Sequence, residues 1–181
     1  MKILFISDIH GCTKNLKKIE DIIKNGGFDK IVVLGDLYYP GPTNSDYNYI
    51  DSDEVKTFLT NYADRLIAMQ GNCDSDVDIK SSDFPICTDL SLICVDDLDI
   101  YITHGNKYNV DKNRKFAGRK GVLIYGHKHY PLIKKEDEML YICVGSISFP
   151  KVSSDATYAT YENKKIRIFS IDGKVINEIN L

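Results

Sequence analysis

Short apolar runs recur along the chain, and those of the first half alternate with stretches of helical period. "KILFIS" (2–7), "KIVVLG" (30–35) and "RLIAMQ" (65–70) have strand character. Between the first two, Leu16, Ile19, Ile22 and Ile23 fall on one helical face, and the pattern stops at Gly26-Gly27. A second helix is predicted from Asp51, where Asp51 and Glu54 have capping-box spacing. Val55, Phe58, Leu59 and Tyr62 then follow at i, i+3, i+4 and i+7. This β-α-β-α-β opening predicts parallel strands with helices packed on the sheet.

The second half has a different rhythm. "LSLICVDD", "LDIYIT", "VLIYG" and "LYICVG" are predicted strands, followed by "ATYATYE", "KIRIFSI" and "KVINEI" with a tight turn at Asp172-Gly173. Mostly antiparallel sheet is expected there, with one short helix within 107–121. The segment 37–50 is a long loop rich in Pro and Tyr, and such loops are uncommon unless functional.

The chemistry lies where the apolar runs stop. "KILFIS" exits into Asp8 and His10, "IVVLG" into Asp36, and "LIAMQG" into Asn72, Cys73 and Asp74. "DIYIT" exits into His104, and "VLIYG" into His127 and His129. All four histidines of the chain therefore sit at C-terminal strand ends, the edge at which open α/β sheets bind ligands. In extended chain, residues i and i+2 point the same way, so Asp8 pairs with His10 and His127 with His129. Imidazole nitrogens with carboxylate oxygens suit Mn, Fe, Zn or Co. Seven candidate ligands exceed one tetrahedral site and suit two ions about 3.5–4 Å apart sharing a carboxylate. Any one of these histidines alone is an ordinary polar residue; five strand exits converging on one chemistry are not an ordinary pattern.

Composition narrows the setting. The 181 residues fit one domain, 1–181, with 43% hydrophobic and 27% charged residues. The 23 basic and 26 acidic side chains are interleaved, giving a net charge of −3, which argues against stable nucleic-acid or membrane-surface binding. No run reaches the roughly 20 apolar residues needed to span a bilayer. Asp8 and His10 interrupt the apolar start, so it does not resemble a secretory signal. Five cysteines with no CxxC pair suggest reduced thiols and a cytoplasmic location.

"SDIHG", "LGDLYYPG", "GNCDS", "THG" and "YGHKHYP" resemble, in order, the motif set of the calcineurin-like metallophosphoesterases. Within it they resemble the small bacterial phosphodiesterase branch (YfcE type), the likeness running from residue 2 to about 151. The resemblance implies an α/β fold, a four-layer α-β-β-α sandwich of two mixed sheets flanked by helices. It also implies two divalent metal ions, Mn2+ by preference, with Zn2+, Fe2+, Co2+ or Ni2+ as alternatives. Asp8, His10 and His129 would hold one ion, Asn72, His104 and His127 the other, and Asp36 would bridge them. Asp36, Asn72, Cys73 and His104 are the expected catalytic set. Two divalent ions against two carboxylates leave a site of about +2, or about +1 with a hydroxide between the ions. The expected reaction is hydrolysis of a phosphodiester by that hydroxide, formed by the metals without a side-chain base.

Alternatives of the same fold are a phosphomonoesterase acting on a small metabolite or nucleotide, and a non-catalytic metal-binding scaffold. Cys73 stands where much of the superfamily has a histidine able to protonate the leaving group, so good leaving groups are expected to be favoured. Asn106 and "ICVGS" depart from the branch pattern. Tyr38, Tyr39, Tyr47 and Tyr49 are candidates for a cleft or, by slight preference, a homo-oligomer interface through loop 37–50. Ser146, Ser148 and Lys151 are candidates to face the phosphate.

Overall fold

The computed structural model describes residues 1–41, 47–116, 118–151 and 154–181, without the side chain of Tyr47. Strands β1 (Lys2–Ile6), β2 (Lys30–Val33), β3 (Leu66–Met69) and β4 (Ile86–Cys87) are parallel neighbours. Antiparallel β10 (Thr157–Glu162), β11 (Lys165–Ser170) and β12 (Val175–Asn180) extend this sheet in the order β12-β11-β10-β1-β2-β3-β4. The second sheet has the order β5-β6-β7-β9-β8, formed by β5 (Ser91–Val95), β6 (Leu98–Ile102), β7 (Gly121–Tyr125), β8 (Pro131–Glu136) and β9 (Met139–Val144).

Alternation along β1 shows how the layers form. Leu4 and Ile6 face helix α1 (Leu16–Gly26) and helix α2 (Ser52–Thr60), packing with Ile19, Ile23, Val55 and Leu59. Ile3 and Phe5 point the opposite way, against Ile100, Ile102, Ile124 and Ile142 of the second sheet. Beyond Lys2 both faces of β1 are buried, so it has no further polar position until it ends. Asp51 caps α2 by accepting a hydrogen bond from the Glu54 N–H at 2.8 Å, and Gly27 ends α1 in the left-handed conformation.

The second half differs from the expectation of antiparallel sheet. β6, β7 and β9 are parallel, because β8 folds back as an antiparallel edge strand and returns the chain alongside β7. The outer layer over this sheet is thin. Among the described residues it is a loop with one 3-10 turn, Arg114–Phe116, in place of an α-helix. Phe116 and Val110 supply its buried apolar contacts, against Leu123, Tyr125 and Tyr141. A short helix, α3 (Asp76–Ser81), was not apparent in the pattern because it buries no side chain; its capping box at Ser75 and Asp78 carries the signal instead. No helix among the described residues is long and apolar enough to cross a membrane.

Candidate metal centre

β1, β2, β3, β6 and β7 all end at the same rim, and each leaves by a sharp bend. Asp8, His10, Asp36, His127 and His129 have φ between 53° and 64°. A left-handed backbone at a non-glycine residue costs roughly 1–3 kcal/mol, and clusters of such residues mark functional sites. Asp8 and His10 converge through this bend and not, as the i, i+2 spacing suggested, through the pleat of a strand. Glycines let the backbones close in: a Cβ at Gly71 would collide with Asp36 Oδ1, and one at Gly126 with Ser7 Oγ.

Each carboxylate is held at one oxygen and open at the other. Asp8 Oδ2 accepts a hydrogen bond from the His127 N–H at 2.9 Å, and Asp36 Oδ1 accepts one from the Cys73 N–H at 2.8 Å. Asp8 Oδ1 lies 3.2 Å from His129 Nε2 and 3.9 Å from His10 Nε2. Asp36 Oδ2 lies 3.5 Å from His10 Nε2 and 3.3 Å from His104 Nε2. His104 Nε2 is also 3.0 Å from Asn72 Oδ1, and the His127 ring stands edge-on to His104 at 5.1 Å between centroids. Asp8, His10, Asp36 and His104 form the buried floor, whereas Asn72, Cys73, His127 and His129 open toward solvent.

The protonation pattern explains what belongs between them. Nδ1 of His10, His104 and His129 donates to the carbonyls of Tyr39, Leu34 and Phe149 at 2.7, 2.8 and 2.6 Å. In the neutral rings the Nε2 lone pairs then face carboxylate and amide oxygens, which are acceptors too. His10 Nε2 and His129 Nε2 stand 3.3 Å apart, and Asp8 Oδ1 is buried with no hydrogen-bond donor. A buried polar atom left unpartnered costs about 1–3 kcal/mol, more when charged. A divalent cation removes the conflict. Metal–nitrogen bonds of about 2.1 Å put adjacent ligands about 3.0–3.4 Å apart, close to the separations here. Ligand atoms of Asp8, His10, Asp36 and His129 all lie within 4.8 Å of one another, so these residues fit a metal ion.

Without a metal, protons must take its place. Burial alone would lower the pKa of His104, but the Asp36 carboxylate and the charge of Asp8 outweigh it and push it up to about 9. His129 is raised in the same way, by Asp8 against burial. Burial and the neighbouring His104 lower His127. Burial would raise Asp36 and Asp8, but the imidazoles hold both carboxyls below the usual range.

Asp74 is the residue whose role the sequence did not disclose. It is buried, and its carboxylate accepts hydrogen bonds from the N–H groups of Asp36 at 2.9 Å, Leu37 at 2.7 Å and Gly71 at 2.7 Å. One side chain thus ties the exits of β2 and β3 together. Its place in "GNCDS" was the only available signal. Ser146, expected toward the phosphate, is buried: its hydroxyl donates to the Asp8 carbonyl at 2.8 Å and accepts from the Phe149 N–H at 2.8 Å. Ser148 is half-buried, whereas Lys151 is exposed beside His127 and His129. Asn106 accepts from the Lys107 N–H at 3.0 Å in a turn. Tyr38 is buried with its hydroxyl 2.8 Å from Ser82 Oγ, while Tyr39 and Tyr49 are exposed. Part of the 37–50 loop, including the Tyr47 side chain, lies outside the described residues.

A histidine and carboxylate cluster at the strand ends of a two-sheet sandwich is an arrangement suited to a metal-dependent phosphoester hydrolase. Residues 1–165 match the calcineurin-like phosphoesterase superfamily domain, and the chain belongs to that superfamily as a phosphoric ester hydrolase. Phosphodiesterase YfcE of Escherichia coli K12 is 30% identical over 176 residues, spanning 97% of this chain and 95% of that protein. Phosphodiesterase MJ0936 of Methanocaldococcus jannaschii is 28% identical over 153 residues, spanning 80% of this chain and 83% of that protein. The solved structure of YfcE from E. coli matches with a TM-score of 0.90 at 29% identity, covering 99% of this chain and 98% of that one. Zn2+-bound Vps29 from Entamoeba histolytica, 16% identical with a TM-score of 0.67 over 99% of this chain and 98% of its own, shares the fold alone.

The raised pKa of His104 fixes the sign of a pH effect. Its protonation stabilises the metal-free fold fully below the unfolded value of about 6.5, and that contribution is lost as pH rises through about 9. The melting temperature of chelated protein should therefore fall from pH 6.5 to 9, while that of metal-loaded protein changes less. Parallel profiles with and without metal would contradict this account.

Proposed function

We propose that the protein is a dinuclear metal-dependent phosphodiesterase in which Asp36 is shared between the two ions. The observation carrying this reading is Asp36 Oδ2, placed 3.5 Å from His10 Nε2 and 3.3 Å from His104 Nε2. Asp8, His10 and His129 complete the ligand set on one side, and Asn72, His104 and His127 on the other. Mn2+ is the favoured ion, with Zn2+, Fe2+, Co2+ or Ni2+ compatible with the same nitrogen and oxygen donors. When bound, such a pair supplies Lewis acidity and lowers the pKa of water enough to provide hydroxide near neutral pH.

The chain contributes position and polarity. Backbone carbonyls at Tyr39, Leu34 and Phe149 fix three imidazoles as acceptors at Nε2. Asn72, at the exposed rim, brings a neutral amide oxygen to the floor and limits the negative charge facing an anionic ester. Cys73 provides its N–H to Asp36, and in the metal-free protein burial and the charge of Asp36 push its thiol up to about 12. A thiol in this place leaves the departing oxygen without a histidine acid, which favours aryl esters over alkyl esters. All five cysteines are free thiols, which supports a cytoplasmic setting.

With Mn2+ added, the protein should hydrolyse bis(4-nitrophenyl) phosphate faster than 4-nitrophenyl phosphate. Asp36→Asn should lower turnover by at least about 10³-fold and weaken retention of the second ion; full activity in that variant would sink the shared-carboxylate assignment. Cys73→His should raise activity on alkyl esters relative to aryl esters by up to about 10²-fold, the low end of general-acid contributions. An unchanged ratio would mean that another donor already serves the leaving group.

A further inference from the structure

Two cavities of opposite character lie beside the candidate metal centre, one reaching Cys73 and the other His127. Beside Cys73 lies a cavity of about 530 Å³ lined by Tyr38, Tyr39, Asp53, Lys56 and Asp78, among others. Its lysine is engaged: Lys56 Nζ lies 3.2 Å from Asp83. The aromatic face free to meet a ligand is Tyr39, which is 51% exposed. Two carboxylates and an aromatic wall suit an uncharged, flat or hydroxylated group and oppose an anion.

Beside His127 lies a second cavity of about 360 Å³, lined by Lys112, Lys128, Lys151 and Tyr130, with Asp111 as the carboxylate among its described lining. Lys128 pairs with Asp111, and Lys112 Nζ donates to the Asn106 carbonyl at 2.8 Å. Lys151 has no ion pair among the described residues, while its N–H is fixed to the His129 carbonyl at 2.8 Å. Three lysines thus line this cavity against one carboxylate, and since Lys128 already pairs with that carboxylate, the charges of Lys112 and Lys151 are left over among the described lining residues. The reacting phosphate belongs over the histidine floor, so the charge these lysines attract is a second one, carried by an ester arm.

Building on the phosphodiesterase reading, we infer that the substrate is an asymmetric diester. Its uncharged arm occupies the tyrosine-lined cavity beside Cys73, and an arm bearing a further carboxylate or phosphate group occupies the lysine-lined cavity beside His127. The centre then selects by charge along a direction, and a diester with two neutral arms leaves the lysines without a partner. Attraction to these exposed ammonium groups is long-range and weakens with salt.

The test compares three diesters that share a 4-nitrophenyl leaving group and carry phenyl, 4-carboxyphenyl or 4-(phosphonomethyl)phenyl as the second arm. With metal-loaded protein at low salt, one or both anionic arms should raise kcat/KM about tenfold over phenyl. The arm that gains identifies the anion's source. The advantage should shrink with added salt and approach unity in the Lys112→Gln/Lys151→Gln double variant. Lys120→Gln, beside the opposite end of β7, should leave it intact. Calorimetric titration with phenylphosphonate and 4-carboxyphenylphosphonate should give the same order of affinity without turnover. If all three diesters are hydrolysed equally, or the phenyl diester best, the directional inference is overturned while the phosphodiesterase reading stands. If none is hydrolysed, both fall.

Discussion

Asp36 is held at one oxygen and open at the other, and the rest of the site depends on that asymmetry. The Cys73 N–H fixes Oδ1, while Oδ2 stands between imidazoles delivered by different sheets. Behind it, the Asp74 carboxylate gathers the N–H groups of Asp36, Leu37 and Gly71, so the open oxygen sits in a preset position. With neutral imidazoles on either side, a carboxylate so buried would face their lone pairs at a cost. A metal centre turns that cost into affinity.

The fold supplies what the site needs from far apart in the chain. β1, β2 and β3 bring Asp8, His10, Asp36 and Asn72 to the rim of one sheet, and β6 and β7 bring His104, His127 and His129 to the rim of the other. The apolar layer between them, with Phe5 and Ile3 against Ile102 and Ile124, sets the separation of the two rims. Hydrophobic packing therefore fixes polar geometry: the distance from Asp8 to His129 is a consequence of how the sheets stack.

The strand ends were legible because parallel strands buried on both faces read as unbroken apolar runs, so their first polar residues stand out. Asp8, His10, Asp36, Asn72, His127 and His129 were visible in that way, and His104 by its place after the alternating run of β6. The capped start of α2 at Asp51 was equally plain. Other features were not legible. The left-handed bends that turn Asp8 toward His10 follow from contacts between loops, which local spacing does not encode. β8 was missed because its inward side chains are only half-buried, and with it went the parallel pairing of β7 and β9. Asp74 stood out only as a polar residue at the exit of β3; its anchoring role was not legible because two of its partners, Asp36 and Leu37, lie 38 and 37 residues away.

The central claim is that these strand ends converge on two adjacent ion positions sharing one carboxylate. Anomalous diffraction from crystals of the Mn2+-loaded protein tests it most directly. The account predicts two peaks about 3.5–4 Å apart, on either side of Asp36 Oδ2, one toward His10 and His129 and the other toward His104 and His127. A single peak at full Mn2+ saturation, or a pair bridged by another side chain, would contradict it.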